Sequence, residues 1–424
     1  MIKVAIIGVG TVGQSVINIL QKNSKIIKAR AGKEIKVVKG VVKNLTKKRN
    51  VNIELTDNID EVLNDKSIDI VVELMGGVEE SFVVVKKALE NNKAIVTANK
   101  ALLAYHRYDL QKLANDLPIG YEASVAGGIP IINALKVGLS ANHIVAIKGI
   151  MNGTCNYILT KMMNENVEYK DVLKEAQELG YAEADPTFDV GGFDAAHKLL
   201  ILSSIAYGID AKPEDILIEG IEDINQDDIE FAKEFGYSIK LLAIAKKYDN
   251  VVEQRVHPVL IKNTKMIAKV DGVMNSISII GDCVGETMYY GPGAGGDATA
   301  SAVISDLVAI VRAGRRKSPM FGFKNPVKLT DLKLVDKDEI ESAYYLRMKT
   351  IDKPGVLAKI ATILGNNNIS IDAFLQKPIL HDKQGATLLC STHICKEKQI
   401  IAAIKEIENL QVIKDKVSMI RIDD

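Results

Sequence analysis

The chain has 424 residues, 47% of them hydrophobic and 25% charged, with 54 Lys and Arg against 54 Asp and Glu. That is enough apolar material for more than one packed core and too much for disorder, and a net charge of zero lacks the positive surplus that general nucleic-acid binding needs. No apolar run reaches the roughly 20 residues that span a bilayer, the first ten residues lack a signal-peptide flank and cleavage site, and Cys155, Cys283, Cys390 and Cys395 show neither CxxC nor metal-ligand spacing. A cytoplasmic protein with reduced thiols, binding neither nucleic acid nor membrane, is expected.

The first 140 residues alternate short β-rich runs with helical ones. KVAIIGVG (3–10) reads as a buried strand, and Val12, Val16, Ile19 and Leu20 give Thr11 to Asn23 a helical spacing. Further strands are expected at 34–42, 68–77, 93–99 and 119–125, with helices at 81–92 and 100–115. This rhythm predicts a doubly wound parallel sheet, an α/β fold, over residues 1–133.

Residues 134–290 change character. Helices are expected at 169–179 and 194–207, among strands at 143–150, 241–248 and 251–261, which reads as an α+β substrate domain. The Gly-rich run GPGAGGDATA (291–300) leads into an apolar helix ending near Arg315, expected to return and complete the first domain with residues 291–316. A polar, Pro- and Lys-containing stretch, 317–342, reads as a linker. Strands at 343–351, 369–376, 386–394 and 416–422, helices at 355–367 and 396–410, and a hairpin turn at 381–385 then spell βαββαβ, a ferredoxin-like unit.

Gly8-Val9-Gly10-Thr11-Val12-Gly13 follows a strand and opens a helix, the context in which GxGxxG lets a dinucleotide pyrophosphate approach a helix N-terminus. After the second strand, where an NAD site places an acid for the ribose, stand Lys43, Lys47, Lys48 and Arg49. That cluster favours the 2′-phosphate of NADP, with NAD as the alternative. The densest segment is 180–198. Glu183, Asp185, Asp189 and Asp194 lie around Pro186 and Gly191-Gly192, and Asp194 shares a helix face with Lys198 four residues on. An ordinary ion pair is one reading of that face; a charged pair pointing into a cleft is the other. His197 faces elsewhere and reads as a packed histidine, and the histidines form no metal cluster.

These segments, together with TANK (97–100), YEASVAGGIP (121–130) and KGIMNGTCNYIL (148–159), occur in the order found in homoserine dehydrogenases, and the chain resembles that family over its first ~315 residues. The C-terminal unit, with Asp352-Lys353-Pro354-Gly355-Val356-Leu357 at its first strand-to-helix turn, resembles the ACT regulatory domain.

The resemblance implies NAD(P)H-dependent interconversion of L-aspartate 4-semialdehyde and L-homoserine, on the route to threonine and methionine. It places Lys198, Asp194 and Lys100 at the catalytic centre, and Glu183, Asp194, Thr154 and Tyr181 around the substrate. The cofactor falls to Gly8, Gly10, Thr11, Val12, Gly13, Lys43, Thr97, Lys100 and Gly295, and a monovalent cation, sodium, to Glu122, Val125, Gly127 and Ile129. A homodimer or homotetramer and threonine as effector are implied as well, against the alternative of an ACT unit that only assembles subunits. Because the linker separates residues 343–424 from every catalytic motif, truncation near Lys317 is expected to leave a competent enzyme, and no fused kinase is expected ahead of residue 1. Two other functions compete. An aspartate-semialdehyde dehydrogenase would need Cys155 as nucleophile with a partner histidine, and a non-catalytic sensor would not need the Asp194/Lys198 pair.

Overall fold

The computed structural model describes residues 1–314, 319–322, 332–379 and 382–423, with the side chains of 377–384 left aside. The chain divides into two compact units: residues 1–153, 194–215 and 273–333, and residues 154–193, 216–272 and 334–424.

The first unit holds a six-stranded sheet in the spatial order Glu54–Thr56, Ile35–Val41, Ile2–Ile7, Ile70–Glu73, Ala94–Thr97, Ile119–Gly120. Every pairing is parallel, and the order 3-2-1-4-5-6 is that of a dinucleotide-binding Rossmann sheet. The central strands are apolar on both faces because helices cover both: Val4, Ile6, Val72 and Val96 are fully or nearly fully buried. The helix Gly296–Ala313 returns and packs on Thr11–Lys22, its Ala300, Val303 and Leu307 joining the core. Three antiparallel strands, Ile144–Ile150, Met274–Gly281 and Gly285–Pro292, and the apolar helix Phe193–Tyr207 complete this unit.

The expected strand at 119–125 stops after Gly120 and becomes a 3₁₀ turn, Glu122–Ser124. The Asp306 side chain fills the space where a Gly120 side chain would stand, at 2.6 Å. The buried Glu122 carboxylate accepts from the backbone of the next helix start, Ile132 and Asn133.

In the second unit, Tyr237–Tyr248 and Val251–Lys262 form a long hairpin. The βαββαβ unit follows with its strands in the order Ser418–Asp423, Glu341–Ile351, Asp382–Thr392, Ile371–Ile379, all antiparallel neighbours. Val356–Asn366 and Glu397–Glu408 pack over it through Ile360, Leu364, Ile400, Ala403 and Ile407. The last strand does not end the sheet. It runs parallel to Val251–Lys262, pairing Val259 with Arg421 and Ile261 with Asp423. The expected turn at 381–385 lies partly outside the described residues, and residues 317–318 and 323–331 of the expected linker lie wholly outside them. The linker's described parts are not loose: in the first unit Met320 and Phe321 are buried, and in the second Val335 N–H donates to the Val252 carbonyl.

Candidate active site

The nucleotide end of the first unit is built by three glycines, each for its own reason. Gly8 has a φ of +101°, and a side chain there would meet the Leu74 carbonyl at 2.4 Å. Gly13 lets the helix sit on its own strand, since a Cβ would lie 2.4 Å from the Gly8 carbonyl. Gly10 faces open space, as a residue approached by a pyrophosphate must. Thr11 is exposed at the helix start, while Val12 is half-buried against the core. Gly295, with a φ of +119°, begins the return helix, and Gly296 brings it against Thr11 and Ser15.

Beside the glycines lies a cavity of about 390 Å³ whose lining includes Gly8, Gly10, Thr11, Lys43, Lys47 and Arg49. Lys43 is exposed, with Glu80 3.7 Å away. Arg49 had no role of its own in the sequence, yet it holds the loop. Its guanidinium donates to the carbonyls of Val9, Asn44 and Lys47, fastening the basic loop to the glycine turn. Gln14 does the same from the helix, accepting from Asn50 N–H and donating to the Gly10 carbonyl. Asp57, just past the neighbouring strand Glu54–Thr56, also lines the cavity, an acid that inspection of the second strand alone did not reveal.

The chemistry-bearing cluster of this unit centres on Asp194. Its Oδ2 accepts from Lys198 Nζ at 2.6 Å and from Asn152 Nδ2 at 2.9 Å, and its Oδ1 lies 2.6 Å from Lys100 Nζ. One carboxylate thus bridges two ammonium groups. Lys198 also donates to the Met151 carbonyl at 2.6 Å, which takes a second bond from Asn275 Nδ2. The Asp194 and Lys198 side chains are only 3% and 10% exposed, while Lys100 is 36% exposed and the more open of the two cations. Burial alone would raise the Asp194 pKa, but the Lys198 and Lys100 charges and hydrogen bonds outweigh it and hold the carboxyl well below the usual carboxylate range. His197, one residue along the helix, meets the Tyr105 ring edge-on, and burial brings it down to about 4, so it is neutral at physiological pH.

Lys100 is aimed by a buried polar frame. Asn99 caps its helix by accepting from Leu102 N–H and donates to the Gly77 carbonyl and to Ser81 Oγ. Asn99 N–H donates to Thr97 Oγ1, which donates to Glu73 Oε2 at 2.6 Å. Glu73 is fully buried and also accepts from Met75 N–H and Ser81 Oγ. The Thr97 hydroxyl is thus part of this frame. Glu73, Asn152 and Asn275 are the participants that residue spacing could not assign.

In the second unit, Thr154 donates from the first turn of Gly153–Glu165 to the Tyr181 carbonyl at 2.7 Å, and the Tyr157 and Tyr181 rings meet edge-on at 5.1 Å. Glu183 is exposed two residues further on, where Gln177 Nε2 donates to its carbonyl at 3.1 Å. Cys155 is fully buried, its thiol donating to the Asp189 carbonyl, which removes the cysteine-nucleophile alternative. Around the expected cation residues, all in the first unit, Ala126 and Gly127 have φ of +54° and +49°. The two Glu122 oxygens accept from Ile132 N–H, Asn133 N–H and Asn133 Nδ2. Among the described residues no cluster of three His, Cys, Asp or Glu could hold a metal, and no helix is long and apolar enough to cross a membrane.

Family models match in the order of the chain: homoserine dehydrogenase NAD-binding domain over 8–117, homoserine dehydrogenase over 130–308, and ACT domain over 344–411. The homoserine dehydrogenase of Helicobacter pylori is 56% identical, with 100% of this chain and 99% of the relative covered. That of Pseudomonas aeruginosa is 43% identical over 100% and 99%. A solved homoserine dehydrogenase from Thiobacillus denitrificans superposes with a TM-score of 0.95 at 45% identity, covering 100% of this chain and 98% of that one. A hyperthermophilic archaeal homoserine dehydrogenase in complex with NADPH matches 75% of this chain and 99% of its own, at 26% identity and a TM-score of 0.64. Identity of this extent, running end to end through the segments that build the glycine turn and the Asp194 cluster, makes the chain a member of the homoserine dehydrogenase family.

Proposed function

We propose that the reduction of L-aspartate 4-semialdehyde to L-homoserine, and its reverse, is carried in this enzyme by the two lysines that Asp194 bridges. The bridge is the observation that carries the reading. A bound reduced nicotinamide supplies hydride to the aldehyde carbon, and negative charge then grows on the aldehyde oxygen. An ammonium beside that oxygen stabilises the charge and gives up a proton. Asp194 stays ionised and keeps both lysines aimed, and the Met151 carbonyl fixes the direction of Lys198. Glu183 holds the substrate ammonium, and Thr154 and Tyr181 approach its carboxylate. The test is that Glu183→Gln raises KM for homoserine with little change in kcat, because it removes a binding charge and no proton donor.

NADPH is the preferred cofactor. The glycine turn leaves room for a pyrophosphate, and the loop that Arg49 fastens there offers cations to a 2′-phosphate. kcat/KM should be higher with NADPH than with NADH, and Lys43→Glu should narrow or invert the preference. Equal use of the two cofactors by the parent enzyme would overturn this.

The monovalent cation, sodium, would be held by main-chain carbonyls and one carboxylate among Glu122, Val125, Gly127 and Ile129. The left-handed pair Ala126-Gly127 suits such a turn, and neutral oxygens suit a single positive charge. Glu122 supplies the one carboxylate of the set; its oxygens accept three hydrogen bonds and keep acceptor capacity for a cation. The ACT domain binds threonine near Asp352–Leu357, where Gly355 has a φ of +86° and opens the helix start. The enzyme works as a cytoplasmic homodimer or homotetramer. Calorimetry on the full chain should show threonine binding together with inhibition; neither signal, with threonine or methionine, would leave the ACT domain as an assembly module.

A further inference from the structure

Two strands run parallel along one edge of Val251–Lys262, one after the other. Leu217–Ile218 pairs with Arg255 and Val256, and Ser418–Asp423 pairs with Val259 to Ile261. Glu219 therefore leaves its strand beside the place where the ACT strand presents Arg421. The Arg421 side chain is 1% exposed and lies between two carboxylates. Its NH1 and NH2 donate to Glu219 Oε2 and Oε1 at 2.6 and 2.9 Å, and its Nε donates to Glu397 Oε2 at 2.9 Å, with a further contact from NH2 to Glu397 Oε1.

The backbone from Glu219 to Ile221 is pressed against the turn at residues 190–192. Ile221 N–H donates to the Val190 carbonyl at 2.9 Å. A side chain on Gly220 would meet that carbonyl at 2.5 Å and Gly191 Cα at 2.9 Å. Gly192, with a φ of +86°, lies against the Glu219 carbonyl, which a Cβ there would meet at 3.2 Å. So the guanidinium holds Glu219, Glu219 and Gly220 hold residues 190–192, and those residues anchor the exposed loop that carries Glu183.

We propose that Glu219 and Arg421 are positioning residues for the amino-acid substrate, by which the last strand of the ACT domain fixes the loop bearing Glu183. This rests on the assignment of Glu183 to the substrate ammonium. The pair acts on binding rather than on proton transfer, because Asp194 is held independently by Lys198, Lys100 and Asn152.

The test uses the full-length enzyme and three variants: Glu219→Gln, Gly220→Ala and Glu183→Gln. Glu219→Gln keeps the side chain's shape and leaves Arg421 its Glu397 partner, so no buried charge is stranded. It should raise KM for homoserine about 3–10-fold, with kcat and the cofactor KM within about twofold of the parent. Glu219→Asp should restore part of the loss. Gly220→Ala should raise the same KM further, since it displaces the Val190 carbonyl directly. A merely structural contact would lower the melting temperature or the active fraction, and neither changes KM. An unchanged KM in folded Glu219→Gln, with a raised KM in Glu183→Gln, overturns the positioning role alone. An unchanged KM in Glu183→Gln overturns the substrate assignment on which it rests.

Discussion

Replacing Lys198 with alanine is expected to lower kcat by roughly 10²–10⁴, the usual scale for a positioned acid-base group, while the cofactor KM stays close to that of the parent. The reason is local. Lys198 is one of two cations on Asp194, and its Nζ is additionally held by the Met151 carbonyl, so no other side chain reproduces its position. Its removal leaves Asp194 with Lys100 and Asn152 and strands no unpaired buried carboxylate, so the variant should fold. Turnover within about threefold of the parent would remove Lys198 from the chemistry, since even the lower end of the acid-base range is larger.

The two directions of the reaction give the sign of the pH dependence. Reduction needs a lysine that begins charged, so its kcat should fall as pH rises through that group's titration. Oxidation of homoserine needs the neutral amine and should rise over the same interval. Comparing Lys198→Ala with Lys100→Ala decides which amine moves the proton, because its loss should flatten both limbs. Asp194→Asn should move the oxidative limb to lower pH, since two ammonium groups would then face one another without the carboxylate between them.

The parallel sheet was legible because each of its central strands is a short apolar run bounded by turn residues, and such runs are covered on both faces. The elements that escaped are those with little pattern to read. Ser24–Ala31 is a short helix with two buried residues, and Glu54–Thr56 is three residues long. At 119–125 the residues favour a strand, but the outcome depends on Asp306 and Asn133, which touch the segment and lie outside its own pattern in sequence. The site divides the same way. Asp194 and Lys198 lie one helical turn apart, so their pairing follows from spacing, and the choice between a surface ion pair and a site residue turns on burial. Lys100 shares no element with them, and only family resemblance brought it forward. Glu73, Asn152 and Asn275 act through contacts between elements, which no local pattern encodes.

Removing the ACT domain by truncation after Lys317 is expected to destabilise the enzyme severely, contrary to what the linker composition suggests. The last strand of that domain is a neighbour of Val251–Lys262 in the second unit's sheet, and its loss would bare a row of backbone groups along Val259, Leu260 and Ile261. Those three side chains are at most 1% exposed in the full chain. Phe231, which is 2% exposed, would lose the Tyr345 ring that packs on it at 4.3 Å. Uncovering a buried apolar side chain costs about 1.5–3 kcal/mol when exposure is complete, and a domain has only about 5–15 kcal/mol in total. Two charge networks would also be cut. Asp228 would lose Arg347 and the Tyr345 hydroxyl, and Glu219 would lose Arg421. An unpaired edge with apolar residues beneath it invites association between chains as well. The truncated protein should therefore melt at least about 10 °C below the full chain or be recovered as aggregate, given that each lost kcal/mol shifts the melting temperature of a domain this size by several degrees. A truncated enzyme that melts with the parent and turns over at the parental rate would show instead that the two parts are energetically separable, and that the shared edge and its arginines contribute little.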